Sequence, residues 1–214
     1  MRRLILACCV MLSISGCQSA YYSAMEKAGI HKRDILVDRV EDARDSQQDA
    51  KQQFKDALER YRSVVQVKGG DLEKRYEALS DEYEASVAAA NDVRARIDAV
   101  EDVAEALFDE WEDELQQYSN ASLKRASASE LSRTRSEYRT LLRRMKAAEQ
   151  RIAPVLSVLH DQVLFLKHNL NARAISALHG EYRTLQGNVD QLVAEMQRAI
   201  DEADSFIRRL HAER

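Results

Sequence analysis

The stretch LEKRYEALSDEYEASVAAANDVRARIDAVEDVAEALFDEW, residues 72–111, repeats apolar or small side chains at alternating steps of four and three. That spacing places them along one side of an α-helix. The pattern continues to residue 118, and at this length it predicts a helix of roughly 70 Å with left-handed supercoiling against a partner. Asp71 is positioned to cap its start. The stripe consists of Leu72, Tyr76, Leu79, Tyr83, Ser86, Ala90, Val93, Ile97, Val100, Ala104, Leu107, Trp111 and Tyr118.

The composition excludes several classes of protein. One Pro and six Gly in 214 residues cannot supply the turns of an all-β fold with many short strands. Charged residues make up 32% of the chain and are too interspersed for a polytopic membrane protein. The net charge of −4 gives no broad basic field, so we expect no nucleic-acid partner.

An earlier stripe of the same period predicts a helix over residues 35–67. Asp34 is positioned to cap its start, and Gly69 with Gly70 predicts a left-handed stop after its end. Gln47 occupies one slot where the pattern expects an apolar residue. The stripe consists of Leu36, Val40, Ala43, Ala50, Phe54, Ala57, Tyr61 and Val64.

Two more stripes follow the polar cluster SNASLKRASAS, residues 119–129, where we expect the chain to reverse. Ser127 and Glu130 have the spacing of a capping box for the third helix. Pro154 lies inside that helix and is expected to bend it and free a carbonyl. The two stripes are Leu131, Tyr138, Leu142, Met145, Ile152, Leu156, Leu159, Val163, Leu166 and Leu170, and then Ile175, Leu178, Tyr182, Leu185, Val189, Leu192, Met196, Ala199, Ala203, Phe206 and Leu210.

The third and fourth stripes are out of phase, since Leu170 to Ile175 is a step of five. This predicts a reversal across Asn169 and Asn171, with one continuous helix containing a stutter as the alternative. Four long helices with short connections predict an all-α fold over residues 34–214, an elongated antiparallel four-helix bundle or coiled coil. A coiled-coil hairpin that dimerises to complete the bundle would bury the same residues.

The N-terminus has the features of an export signal. Arg2 and Arg3 precede an apolar stretch, residues 4–12, that is too short to span a bilayer. The sequence ISGC at residues 14–17 resembles a bacterial lipoprotein box. An ordinary secretory cleavage site beside a coincidental Cys is the alternative.

The lipoprotein interpretation sets the expected compartment. It predicts a signal peptide over residues 1–16, acylation of Cys17 and a lipidated tether over residues 17–33, with the bundle facing the periplasm. Several acyl chains on one Cys give stable membrane anchoring. Gln18, rather than Asp, follows the Cys, which by resemblance to sorted lipoproteins favours the outer membrane.

Opposite charges concentrate on the second and third predicted helices. Residues 101–114 contain eight acids and no base, whereas residues 124–151 contain nine bases and three acids. Side by side, these segments would favour the antiparallel register. The basic side chains therefore predict either a solvated face that balances helix two or a patch for peptidoglycan, lipid headgroups or an acidic protein. They are Arg133, Arg135, Arg139, Arg143, Arg144, Lys146 and Arg151.

The sequence lacks the usual constellations of catalytic residues. It contains no Gly-x-Ser-x-Gly elbow, phosphate-binding glycine loop, dinucleotide fingerprint or His-Glu-x-x-His motif. Its five histidines also lack the Glu-x-x-His spacing of bundle metal sites. We therefore expect no enzymatic activity and neither a metal nor another cofactor. Trp111 falls on a heptad slot, which favours the core over an exposed recognition anchor.

Polar residues cluster at the predicted reversal between helices three and four, beside a dense apolar run. As a binding tip, they would hold an anion or a partner peptide. Alternatively, the asparagines cap helix ends and the basic residues complement a helix C-terminus. The residues are Lys167, His168, Asn169, Asn171 and Arg173.

Several runs resemble an uncharacterised family of Gram-negative bacterial lipoproteins, defined only as a domain of unknown function. They are YYSAMEK at 21–27, GIHKRDILVDRVEDARD at 29–45, AEALFDEWEDELQQY at 104–118 and the segment 161–177. The resemblance implies a helical, membrane-anchored envelope protein and supplies no catalytic residue. We expect a non-enzymatic spacer or docking module that meets an envelope protein or a second copy of itself. A bundle that binds a lipid or small ligand is the alternative.

Overall fold

The computed structural model describes residue 25 and residues 29–66, 71–169 and 171–212, apart from the side chains of 172–174. The predicted signal peptide, Cys17 and the Gly69–Gly70 stop lie outside these residues. The helices of the described chain are α1 (Lys32–Gln66), α2 (Leu72–Leu115), α3 (Ala121–Gln150), α4 (Ile152–His168) and α5 (Ala172–Ala212).

The five helices form four rods, because α3 and α4 follow one another as a single interrupted rod. α1 packs against α2 and α5, and the α3–α4 rod packs against the same two helices. The result is the predicted up-and-down four-helix bundle. α4 and α5 also pack against each other, which confirms the predicted reversal at Asn169–Asn171 and excludes a continuous helix there. We call the end where α1 begins the proximal end and the end with the α4–α5 reversal the distal end.

Most residues of the predicted stripes form the core of a single chain. The placement of Tyr118 on the second stripe is wrong, because α2 ends at Leu115 and Tyr118 is 41% exposed. Leu36, Phe54, Ile97 and Leu192 are all fully buried in one contiguous cluster. The described chain thus covers its own apolar strips without a second copy. Gln47 also lies in the core with no exposed surface, and neither atom of its carboxamide has a hydrogen-bond partner. The apolar slot it occupies is therefore a true core position.

Pro154 explains the interruption between α3 and α4. A proline has no backbone N–H, and its ring crowds the carbonyl four residues earlier, here that of Gln150. The regular helix ends at Gln150, where the Arg151 N–H turns back to the Ala148 carbonyl at 3.1 Å. Pro154 then stands in the first turn of α4, where a missing N–H leaves no intrahelical bond unmade. The sequence predicted a bend within one helix, whereas the structure ends one helix at Gln150 and begins another at Ile152.

One of the predicted helix caps, that of α2, agrees with the structure. Asp71 caps α2 as predicted, because its Oδ1 accepts hydrogen bonds from the N–H groups of Glu73 at 3.1 Å and Lys74 at 3.4 Å. The predicted cap at Asp34 is wrong. α1 begins at Lys32, and the His31 carbonyl already accepts the Asp34 N–H at 2.9 Å, so Asp34 lies within the first turn.

The predicted capping box at Ser127 and Glu130 is also wrong. α3 begins at Ala121, because Asn120 Oδ1 accepts the N–H groups of Ser122 at 2.9 Å and Leu123 at 3.2 Å. The Asn120 cap stands earlier in the chain, and the small residues after it are compatible with helix. Most of the cluster at 119–129 is therefore helical, and the reversal is confined to residues 116–120.

Candidate functional site

The polar residues predicted as a binding tip lie at the α4–α5 reversal of the distal end. Lys167 and His168 are exposed in the last turn of α4, where the positive charge of Lys167 complements the helix C-terminus. Asn169 ends the helix: its backbone N–H donates to the Leu166 carbonyl at 3.1 Å, and its Nδ2 donates to the Phe165 carbonyl at 2.9 Å.

Asn171 follows directly in the same reversal. Its N–H donates to the Asn169 carbonyl at 2.8 Å, and its own carbonyl accepts the Ile175 N–H at 3.5 Å in the first turn of α5. The Asn169 side chain therefore caps the end of α4, whereas the bonds described for Asn171 are made by its backbone. The side chain of Arg173 lies outside the described residues.

A cavity of about 340 Å³ opens between α4 and α5 beside this reversal. The α4 wall follows one helix face at steps of three and four residues, and α5 supplies the opposite wall. Apolar side chains are mixed with two carboxylates and one carboxamide. The lining residues are Val158, Asp161, Gln162, Phe165, Ala177, Leu178 and Glu181.

Two large apolar side chains are exposed at this cavity's end of α4. Phe165, in the cavity wall, is 41% exposed, and its neighbour Leu164 is 44% exposed. The sequence carried a signal for this feature that the stripe analysis missed. Residues 163–166, VLFL, are four apolar residues in succession, and one helix cannot turn all four toward the core. Val163 and Leu166 are buried, so the middle pair faces outward.

Gln162 is, like Gln47, a buried glutamine. Its side chain is nine-tenths buried in the cavity wall, and neither its Oε1 nor its Nε2 has a hydrogen-bond partner. A shielded polar group without a partner destabilises a protein by about 1–3 kcal/mol. The unpaired carboxamide of Gln162 therefore lies in the same cavity wall as Phe165, beside the exposed apolar pair.

The α5 wall of the cavity is fixed from behind by α1. The Tyr61 hydroxyl donates to the Leu178 carbonyl at 2.6 Å, and the Tyr61 ring stacks on Tyr182 with centroids 6.3 Å apart. Burial, and secondarily the charge of Glu181, raises the pKa of Tyr61 above its ordinary value. Tyr61 therefore holds the backbone of α5 at Leu178 against α1.

The opposite charges of α2 and α3 meet along the proximal half of the bundle, as predicted. Lys146 pairs with Glu101 at 2.6 Å, and Arg135 pairs with Glu112. Arg139 and Arg143, by contrast, are exposed and make no ion pair among the residues described. The basic run thus balances helix two only in part.

Trp111 has the environment expected of its heptad slot. It is partly buried against the core, and its indole N–H donates to Ser127 Oγ at 2.8 Å. This bond links the end of α2 to α3. Its acceptor, Ser127, is the residue that the sequence predicted as the cap of the third helix. Trp111 is therefore a packing residue in this structure.

Within the residues described, no group of three or more His, Cys, Asp or Glu side chains is arranged to hold a metal ion. No helix among those residues combines the length and the apolar character needed to cross a bilayer.

A protein-family model described as "Protein of unknown function (DUF2959)" matches residues 21–210. The match includes the whole bundle up to Leu210 and both walls of the distal cavity. No curated protein and no solved structure matches the chain.

Proposed function

Since the chain belongs to the DUF2959 family of proteins of unknown function, we propose its role from its own structure: a membrane-anchored, non-enzymatic helical spacer of the bacterial envelope. In this proposal, acylated Cys17 holds the proximal end at the outer membrane, and the distal end docks a partner in the periplasm.

The observation that carries the proposal is the separation of the two ends. The chain enters the bundle at the start of α1, and the α4–α5 cavity lies at the opposite end. α2 alone has 44 residues, which corresponds to about 65 Å of helix. An anchor that precedes α1 would therefore hold Phe165 and its cavity far from the membrane.

The exposed apolar pair supports docking at that end. Soluble surfaces carry single exposed apolar residues routinely, but an apolar pair beside a cavity is typical of recognition sites. Leu164 and Phe165 are adjacent in the chain and next to a cavity with three polar lining residues. This combination favours a binding end over a purely structural one.

Photo-crosslinking in intact cells tests the proposal. A photoreactive residue at position 165 should capture one protein reproducibly, and the added change Leu164→Glu should abolish the capture because a charge opposes apolar docking. The matched control places the same residue at Ala95, an exposed position on α2. Equal capture from both positions, or none from position 165, would contradict distal docking.

A second candidate function is the binding, in the same cavity, of a lipid or other small ligand that carries a polar group. The unpaired Gln162 carboxamide favours it, because a ligand could supply the missing hydrogen bonds. Native mass spectrometry of protein purified from its host should then detect a co-purified small molecule. Loss of that mass in a Leu178→Trp variant, which fills the cavity, would assign the molecule to this site.

A further inference from the structure

We infer that the α4–α5 cavity takes a peptide segment presenting a lysine or arginine beside an apolar residue. The inference rests on the proposed docking role and names the chemistry of the partner. It is drawn from three groups in the cavity walls: an apolar surface, two carboxylates, one from each helix, and an unpaired carboxamide.

The apolar surface determines where an apolar side chain would lie. Val158 and Phe165 line the α4 wall, and Leu178 lines the α5 wall. Phe165 retains 41% exposure in the free chain, so a side chain placed on its ring removes apolar surface from water. A cavity of about 340 Å³ is at the small end of ligand sites and suits one or two side chains.

The carboxylates determine the sign of the charge. Asp161 stands on α4 and Glu181 on α5, so a cation between the walls would meet both. Glu181 makes no ion pair among the described residues, and the only ion pair of Asp161 there is a 3.9 Å approach to His160 Nδ1. Because both groups face solvent, they contribute more to selectivity than to affinity. They repel an acidic peptide.

The carboxamide of Gln162 favours a peptide over a simple amine. It carries one donor and one acceptor group, as a peptide unit does, and both are unpaired in the free chain. A rotation of the side chain toward the cavity would let it bond to a peptide backbone. A peptide backbone could pair both the oxygen and the N–H groups of the carboxamide and so remove the cost of leaving them unpaired. A protonated amine has only donors and could pair the oxygen alone.

Peptide binding by the full chain in non-ionic detergent tests the charge preference. The probes are two pentapeptides, Ala-Leu-Lys-Leu-Ala and Ala-Leu-Glu-Leu-Ala, each blocked at one terminus and carrying a fluorescent label at the other. Binding is measured by the fluorescence anisotropy of the label. We expect the lysine peptide to bind at least tenfold more tightly. The double variant Asp161→Asn with Glu181→Gln should reduce this preference to about twofold or less. Equal binding of both peptides, or of neither, would overturn the inference.

A second variant tests the carboxamide without depending on charge. Gln162→Met keeps the side-chain length and removes the unpaired groups, so it should stabilise the free chain and weaken the lysine peptide several-fold. Unchanged peptide binding would contradict the role of Gln162. Photo-crosslinking at position 165 could capture a partner while the peptides show no charge preference. That result would support the proposed docking role and overturn the inference that the cavity prefers a basic peptide.

Discussion

Gln47 and Gln162 show how single residues depart from the regular bundle pattern. Both occupy buried positions, and both carry carboxamides without partners. Gln162 lies in the wall of the distal cavity, where a ligand could satisfy it, whereas Gln47 lies among the stripes of the core. Replacement by an apolar side chain should therefore stabilise the free chain at both positions, but only the change at Gln162 should also weaken ligand binding.

Gln47→Leu should raise the free energy of unfolding by about 1–3 kcal/mol, because it replaces an unpaired buried carboxamide with a side chain of similar size. Denaturant unfolding followed by circular dichroism measures the change. The control Gln52→Leu alters an exposed residue of the same helix and should change stability by less than about 0.5 kcal/mol. A destabilised Gln47→Leu protein would show that the carboxamide has a partner.

Tyr61 makes the bundle sensitive to alkaline pH. Its pKa is raised in the folded chain, mainly by burial, so the unfolded chain loses this proton first. Its contribution to stability is complete below the unfolded tyrosine pKa of about 10 and is lost as pH rises above it.

We therefore expect the free energy of unfolding to fall between about pH 10 and pH 12, and to fall less steeply in Tyr61→Phe. At neutral pH the same variant should be less stable by about 1 kcal/mol, because the bond to Leu178 is lost. Tyr118→Phe, at an exposed site, should keep the original slope. Identical slopes in all three proteins would rule out Tyr61 as the cause.

At the scale of the element, helix starts depend on single caps. Asn120→Ala should destabilise the protein by about 1 kcal/mol, because the N–H groups of Ser122 and Leu123 lose their acceptor. Thermal unfolding of Asn120→Ala beside Ser127→Ala separates the observed cap from the position predicted from sequence. The Ser127 variant loses only the bond from Trp111. A neutral Asn120→Ala would contradict the cap.

Replacing Pro154, unlike replacing Asn120, should have little effect on stability. Because it stands in the first turn of α4, Pro154→Ala should change stability by less than about 1 kcal/mol. Ala147→Pro, within α3, should destabilise the protein by about 3 kcal/mol or more, since it removes an interior hydrogen bond. Denaturant unfolding compares the two. A large gain from Pro154→Ala would mean that the interruption at Arg151 is strained.

The periodic elements could be predicted from sequence because heptad spacing over tens of residues constrains which face is buried. Caps could be predicted only in part. The Asp71 cap was predicted correctly, but Asn120, Ser127 and Asp34 are all acceptable cap residues, and only the packed chain decides among them. The reversal at Asn169–Asn171 was predicted from the change of phase. The cavity beside it was missed because Gln162 and Glu181 are far apart in sequence and meet only through the packing of α4 on α5.

At the scale of the whole molecule, charge and topology act together. The pairs Lys146–Glu101 and Arg135–Glu112 favour α3 beside α2 in the antiparallel register. Each exposed pair contributes only about 0–1 kcal/mol, so burial of the stripes supplies the stability. The topology in turn places the chain entry and the distal cavity at opposite ends, on which the proposed spacer role depends.

Neutron reflectometry of the lipidated chain on a supported bilayer tests this account most directly. An upright bundle held through Cys17 should give a protein layer about 65–70 Å thick, the length of α2 and its turns, and Cys17→Ser should give no stable layer. A layer of about 20–25 Å, the width of two packed helices, would mean that the bundle lies flat. That result, or a Cys17→Ser layer equal to the original, would contradict the anchored spacer.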